Sequence, residues 1–342
     1  QCMSDGSHAV ARPGERDARA TDEDRRRIFG SFSIGRVAIQ NRLLRGPGGA
    51  ALLRYAPTEG DPALRAALVP LLAQRGLTLG PDDRVLVPSL WACGRCRFCR
   101  MGRENLCANL VMPGNHADGA FAEFVVAPAK ELVSVPASIP LERACVIADA
   151  ISTPFHAVKH RGKVRPGDAV AVVGCGGVGL NVIQCSVVAG ATVIAVDVNE
   201  ARLELAKKLG ARHAINPATA ERVDKQVRTL TDGGVDVAFE AVGTPKTIDL
   251  AFSLIRKGGR LCVIGFASEP VTINAGKVMF YELEICGSLG CGGGEYPEIV
   301  ALVESGRIDL EPIVSGTLPL GEINEGFDRM RRGEGIRWVV TP

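Results

Sequence analysis

Four cysteines, Cys93, Cys96, Cys99 and Cys107, share the stretch WACGRCRFCRMGRENLC at the spacing C-x2-C-x2-C-x7-C. Thiols this close invite three chemistries: disulfide formation, metal ligation and redox reaction. The first thirty residues contain no apolar leader core, and no run elsewhere is long and apolar enough to cross a membrane. A cytoplasmic location is therefore expected, where clustered cysteines serve metals more often than disulfides. Thiolates two residues apart converge on one tetrahedral zinc ion, and four of them close its shell with no position left for a substrate. The interleaved Arg95, Arg97, Arg100 and Arg103 offset the charge of a four-thiolate centre. The reading is a structural zinc that staples a loop, with an iron–sulfur site or idle thiols as the alternatives.

The second chemistry lies in DAVAVVGCGGVGLNVIQCSVVAG. An apolar, β-rich run (Ala169 to Val173) meets a glycine cluster and then residues at helical period. Gly174, Gly176 and Gly179 have the G-x-G-x-x-G spacing, with Gly177 and Val178 between them, and Asp197 closes the next strand, ATVIAVD. The motif alone is weak; between a strand and a helix, with the acid in place, it is strong. Gly174 permits the tight turn, Gly176 lets backbone approach a pyrophosphate, and Gly179 lets the helix pack on the strand. Phosphates there meet the positive end of the helix dipole. Asp197 would accept from the adenosine ribose hydroxyls and repel a 2′-phosphate, so NAD is expected rather than NADP.

Elements must position these groups. The 342 residues are 46% hydrophobic and 23% charged, with a formal net charge of +2. That is enough chain for two domains and a full core. It offers no case for a nucleic-acid or membrane footprint. A helix in EARLELAKKLGA ending at Gly210, a strand in VDVAFEAVG, a helix in PKTIDLAFSLIRKGG, and strands in RLCVIGFA and LEICGSLGC continue the rhythm. Alternating strands and helices imply an α/β fold with a parallel, doubly wound Rossmann sheet, placed at 151–290.

Together the cysteine lobe, GDAVAVVGCGGVG, VDVAFEAVG and the closing GIRWVVTP resemble the zinc-dependent medium-chain alcohol dehydrogenases, from about Asp83 to Pro342. The resemblance implies a GroES-like β-barrel catalytic domain, here 31–150 and 291–342 with the zinc lobe at 91–108, beside the Rossmann domain. It implies a small-molecule alcohol substrate, NAD, a structural and a catalytic zinc, and a homodimer or homotetramer. Asp197 and Arg202 fall where the family binds ribose, Thr153 near the nicotinamide and Arg337 where an arginine meets the pyrophosphate. Val242, Gly243, Ile264, Gly265 and Phe266 fall along the coenzyme cleft. In VIADAISTPFHAV, Asp149 matches the third protein ligand of the catalytic zinc; capping the helix that begins near Ser152 is its alternative role. His156 and His160, on that helix, match no family ligand and read as packing or surface residues. NLVMPGN, VIADAISTPFHAV and GSLGCGGGEYPEIVALVESGRIDLEPIV are similar to the 6-hydroxycyclohex-1-ene-1-carbonyl-CoA dehydrogenases, which oxidise a ring alcohol.

Residues 1–80 depart from the family. Residues 1–30 are expected to form a polar, mobile arm. The Gly-His-Glu that supplies a zinc ligand in the family occurs nowhere in the chain. Cys2-Met3-Ser4-Asp5 matches the family's C-x-[ST]-D, which would make Cys2 a ligand and Ser4 the first relay hydroxyl; a free thiol on the arm is the alternative. IFGSFSIGRVAIQNRLL resembles the opening of an old-yellow-enzyme barrel. LLRYAPTEGDPALRAALVPLLAQRGLTLGPDDRVLV resembles aminotransferases that use pyridoxal phosphate, with a helix expected from Pro62 to Gln74. The barrel is therefore expected to be atypical or incomplete at its N-terminal part. Two function classes follow: an NAD-dependent zinc alcohol dehydrogenase, or a nucleotide-binding relative that keeps only the structural zinc.

Overall fold

The computed structural model describes residues 83–342 and, ahead of them, the strands β1 (Ile39–Arg45) and β2 (Ala51–Tyr55). Cys2, Ser4 and the helix expected at 62–74 lie outside the described residues. Strands β3 (Arg84–Leu86), β4 (Phe124–Ala127) and β5 (Val133–Ser134) join the first two in a five-stranded sheet of order β4-β2-β1-β3-β5. Its pairings are antiparallel throughout. The N-terminal segment thus supplies the sheet's inner strands, and the region that departs most from the family in sequence contributes strands to this sheet.

The second sheet is six-stranded and parallel. Its strands are β6 (Ala169–Val173), β7 (Thr192–Val196), β8 (His213–Ile215), β9 (Val235–Glu240), β10 (Ile255–Val263) and β11 (Glu284–Gly287), in the order β11-β10-β9-β6-β7-β8. Chain order reverses beside β6, the switch point where open α/β sheets bind ligands. The period of two sends alternate residues to opposite faces. Val170 and Val172 join one core cluster with Val193 and Ala195, while Ala171 and Val173 join another with Ile194 and Val196. Both faces are covered, as parallel sheets require.

Short helices bring the chain to the site. Helix α1 (Arg97–Arg100) sits within the cysteine lobe, α2 (Ser152–His156) continues as one π-helical turn (Ala157–Gly162), and α3 (Gly179–Val188) follows the glycine cluster. Helix α4 (Glu200–Lys208) ends just before Gly210, whose φ of 102° is left-handed territory. Helix α5 (Pro245–Leu254) stops earlier than its sequence pattern predicts, and β10 begins at once. Gly258, at φ 70°, cannot extend a helix, and the β9–β10 register shifts between Ile255 and Arg260 to absorb the extra residues. Helix α6 (Tyr296–Glu304) and the parallel pair β12 (Val314–Pro319) and β13 (Arg337–Thr341) complete the chain. No helix among the described residues is long and apolar enough to cross a membrane.

Phe239, fully buried on β9, fills the space against Gly162, where any Cβ would strike its ring. Phe239→Ala should cost about 3–5 kcal/mol. Urea unfolding checks this through a lower midpoint with an unchanged slope.

Candidate active site and zinc lobe

The lobe is assembled by a tight turn and a short helix. Gly94 has φ 74°, and α1 carries Cys99 back over Cys96. The sulfurs lie 3.4 Å apart for Cys96 and Cys99, 3.9 Å for Cys96 and Cys107 and 4.0 Å for Cys93 and Cys99. Tetrahedral zinc with Zn–S bonds of about 2.3 Å requires sulfurs about 3.8 Å apart, so the four donors already have a zinc-sized arrangement. Backbone amides point at the sulfurs: Cys93 N and Asn109 N donate to Cys107 Sγ at 3.2 and 3.3 Å. The amides of Arg95 and Cys96, ahead of other causes, lower the Cys93 thiol to about 6, while burial raises Cys99 to about 12. Arg95, Arg97, Arg100 and Arg103 are exposed and act on the centre from outside.

The glycine cluster has the geometry its spacing predicts. Gly174, at φ 95°, donates to Val196 O at 2.8 Å and turns the chain off the end of β6. A Cβ on Gly179 would collide with the Gly174 carbonyl, so only glycine lets α3 start this close to the strand. A Cβ on Gly176 would meet nothing within 4 Å: the turn is open there. Asp197 is buried, and its two oxygens accept from Cys175 N at 2.6 Å and Asn199 N at 2.8 Å. The acid therefore braces the glycine turn as well as closing β7. Asn199 in turn caps α4 by accepting from Arg202 N at 3.1 Å. Cys175 is buried beneath the turn, and burial pushes its thiol up to about 12, so it is inert.

Three more segments reach this turn. Gly243 and Gly265 approach backbone to backbone, leaving no room for a Cβ on either. Val242 and the largely exposed Phe266 flank them, with Ile264 half-buried behind. Buried Glu240, absent from the sequence-derived site, holds this corner: its Oε1 accepts from Val242 N, Gly243 N and the Thr247 hydroxyl, each at 2.8 Å. An acid closing an otherwise apolar strand was the signal for it. Arg337, first residue of β13, is buried against the glycine turn, where a Cβ on Gly177 would lie 2.6 Å from Nε. Burial pulls its pKa below the ordinary arginine value, and the charge of Asp149 is among those opposing that shift.

Asp149 is half-buried and held by its neighbours. The Ala148 carbonyl just before it accepts from three hydroxyls, Ser89 at 3.1 Å, Ser152 at 3.0 Å and Tyr296 at 2.7 Å. Its own Oδ1 accepts from Thr153 Oγ1 at 2.9 Å. The carboxylate makes no backbone cap on α2, so the capping alternative fails; the bond goes to the Thr153 hydroxyl instead. Among the described residues, Asp149 belongs to no group of three or more metal-ligating side chains. His156 is buried and His160 exposed, and both meet Glu295, with which they form a metal-capable group.

Comparison with known proteins agrees with this geometry. Residues 73–137 match the alcohol dehydrogenase GroES-like domain, and residues 177–305 match the zinc-binding dehydrogenase domain. A probable S-(hydroxymethyl)glutathione dehydrogenase of Schizosaccharomyces pombe is 33% identical over 302 residues, covering 80% of each chain. The chain belongs to the zinc-binding alcohol dehydrogenases. L-Threonine 3-dehydrogenase of Shewanella frigidimarina is another relative in this family, 34% identical over 78% of this chain and 77% of its own. Among solved structures, the alcohol dehydrogenase TADH from Thermus sp. ATN1 superposes with a TM-score of 0.73 at 30% identity. That match covers 89% of this chain and 93% of the other. The family is one of zinc-dependent oxidoreductases with a GroES-like and a Rossmann-type domain.

Replacing Cys96 by Ser should release the lobe's zinc and lower the melting temperature, while NAD⁺ affinity stays within about twofold. Metal analysis with a thermal melt checks it; a variant that keeps both its metal and its melting point would remove the lobe from the zinc sites.

Proposed function

We propose that the protein oxidises a secondary or cyclic alcohol, in a CoA-linked or similar acyl substrate, with NAD⁺ as hydride acceptor. The observation that carries this reading is the convergence of Asp197 and Arg337 on one glycine turn from two distant parts of the chain. When bound, the coenzyme supplies the hydride acceptor and a catalytic zinc supplies the Lewis acid that makes an alcohol proton easy to lose. The chain's own residues hold and orient these groups. The open turn at Gly176 and the N-terminus of α3 receive the pyrophosphate, and the Arg337 guanidinium lies alongside. Asp197 takes the adenosine ribose hydroxyls with its remaining lone pairs, and Arg202 flanks it from α4. Thr153 offers its hydroxyl at the inner end of the cleft, bonded to Asp149. Asp149, fixed through the Ala148 carbonyl, is the zinc ligand this reading assigns, with Cys2 and the Ser4 hydroxyl completing the site by family pattern.

A solved neighbour is described as an NAD-dependent alcohol dehydrogenase and another as bound to NADP, so coenzyme choice rests here on Asp197. The ring-alcohol substrate class rests on the three segments similar to the hydroxycyclohexene-carbonyl-CoA dehydrogenases. We also assign a homodimer or homotetramer and the domain limits given above on family pattern. A second reading, a nucleotide-binding relative that retains only the lobe zinc, is favoured by two observations: the chain has no Gly-His-Glu, and Asp149 belongs to no group of three or more metal-ligating side chains among the described residues.

NAD⁺ should bind at least tenfold more tightly than NADP⁺, a difference of about 1.4 kcal/mol. Asp197→Ala should narrow that ratio while weakening both, since the same carboxylate braces the turn. Fluorescence titration reads both constants, and equal affinities in the unmutated protein would overturn the assignment.

Asp149→Asn keeps the volume and the Thr153 hydrogen bond but removes the charge. As a ligand, Asp149 would take one zinc and all alcohol oxidation with it, leaving NAD⁺ affinity intact. Unchanged zinc content in the variant would sink the ligand role.

A further inference from the structure

A separate set of donors stands apart from both the cysteine lobe and Asp149. We propose that His156, His160 and Glu295 form a further site for a zinc-class divalent ion. The two histidines are four residues apart on α2 and its π-helical continuation, so their rings share one side, with centroids 5.2 Å apart. Glu295, immediately before α6, inserts its carboxylate between them. Oε1 lies 2.8 Å from His156 Nδ1 and Oε2 lies 3.2 Å from His160 Nε2. One donor atom from each residue falls within 4.8 Å of the other two. Nitrogen and oxygen ligands at about 2.0–2.1 Å from a tetrahedral ion stand about 3.3 Å apart, so small side-chain shifts suffice.

The second observation is Oε2 itself. It is inaccessible to solvent and accepts no hydrogen bond, although an imidazole nitrogen faces it at 3.2 Å. A carboxylate oxygen buried without a donor is costly. A cation between it and His160 would remove that cost. Oε1 is anchored separately by Gly292 N at 3.0 Å, which fixes the carboxylate plane. His160 is 44% exposed, so the site opens to solvent, where an ion enters and water fills remaining positions. Two imidazoles and one carboxylate suit zinc and its neighbours in the first transition row.

Asn105 sets the opposing cost. Its amide donates to Leu289 O at 2.8 Å and lies 3.3 Å from His156 Nε2. In the metal-free protein that nitrogen accepts, and the ring proton sits on Nδ1 facing Glu295. An ion at Nδ1 therefore selects the other tautomer: the ring proton moves from Nδ1 to Nε2, and the Asn105 amide turns to accept it. The ion would tie the cysteine lobe, through Asn105, to α2 and to the segment entering α6. It also bears on metal counting: a second ion per chain does not by itself make Asp149 a ligand.

The test compares the full-length protein, its lobe saturated with zinc, with His160→Ala and Glu295→Gln during titration with Co²⁺. The unmutated chain should take up one more equivalent than either variant, with visible cobalt bands that lack a thiolate charge-transfer band. It should also gain melting temperature on adding cobalt, which the variants would not. His160 is solvent-exposed, so its replacement leaves the fold intact. Equal cobalt uptake by the three proteins would overturn the site. Loss of the extra equivalent in Asp149→Asn but not in His160→Ala would assign that ion to Asp149 instead.

Discussion

The contact on which the site depends is the one between Gly174 and Gly179. Helix α3 begins so close to the end of β6 that the carbonyl of one residue occupies the place where the other's Cβ would lie. No side chain fits, so the helix axis is aimed across the end of the sheet and its positive end faces the open turn. The neighbouring segments are arranged around that approach. Asp197 holds the turn from β7, the Gly243–Gly265 approach closes it from the β9 and β10 side, and Arg337 covers it from β13. A single added methyl group at position 179 would move all of them.

Around this turn the fold uses buried polar groups as fixed struts. Glu240 ties together a corner that has no side-chain packing of its own, because two glycines must meet there. Tyr296, Ser152 and Ser89 converge on one carbonyl and fix the backbone that presents Asp149. Burial raises the Tyr296 phenol well above its usual pKa, so at neutral pH it is protonated and donates. Satisfied buried polar groups of this kind rigidify a site, since each has nowhere else to bond. Asp149 is thus held in place whether or not a metal completes its surroundings.

The lobe follows a different logic. Its four sulfurs stand at zinc-sized separations because a left-handed glycine, a one-turn helix and backbone amides set them there. It meets the segment around Gly293 through Asn105 and through Glu104, whose carboxylate accepts from Gly293 N at 2.9 Å, and the antiparallel sheet through Trp91 and Ala92. These contacts place the lobe beside the segment that leads into α6. The lobe thus braces the chain near the cleft without entering it.

Sequence alone determined what depends on neighbours in the chain. The C-x2-C-x2-C-x7-C lobe, the G-x-G-x-x-G turn, the acid at the end of β7 and the strand–helix rhythm are legible because turn geometry and side-chain period act over a few residues. The early end of α5 escaped that reading, since the apolar period runs on past Leu254 while Gly258 and the sheet draw the chain into β10. Local reading also left Asp149 a helix cap as an alternative role and read the histidines as packing or surface residues. Tertiary structure supplied the partners: the carboxylate takes the Thr153 hydroxyl in place of a helix cap, and Glu295 arrives from 139 positions away to meet His156. Glu240, Tyr296 and the seat of Arg337 on Gly177 were decided there too. Their partners come from other strands and helices, and no spacing along one segment encodes which buried donor will meet which acceptor once the sheets close.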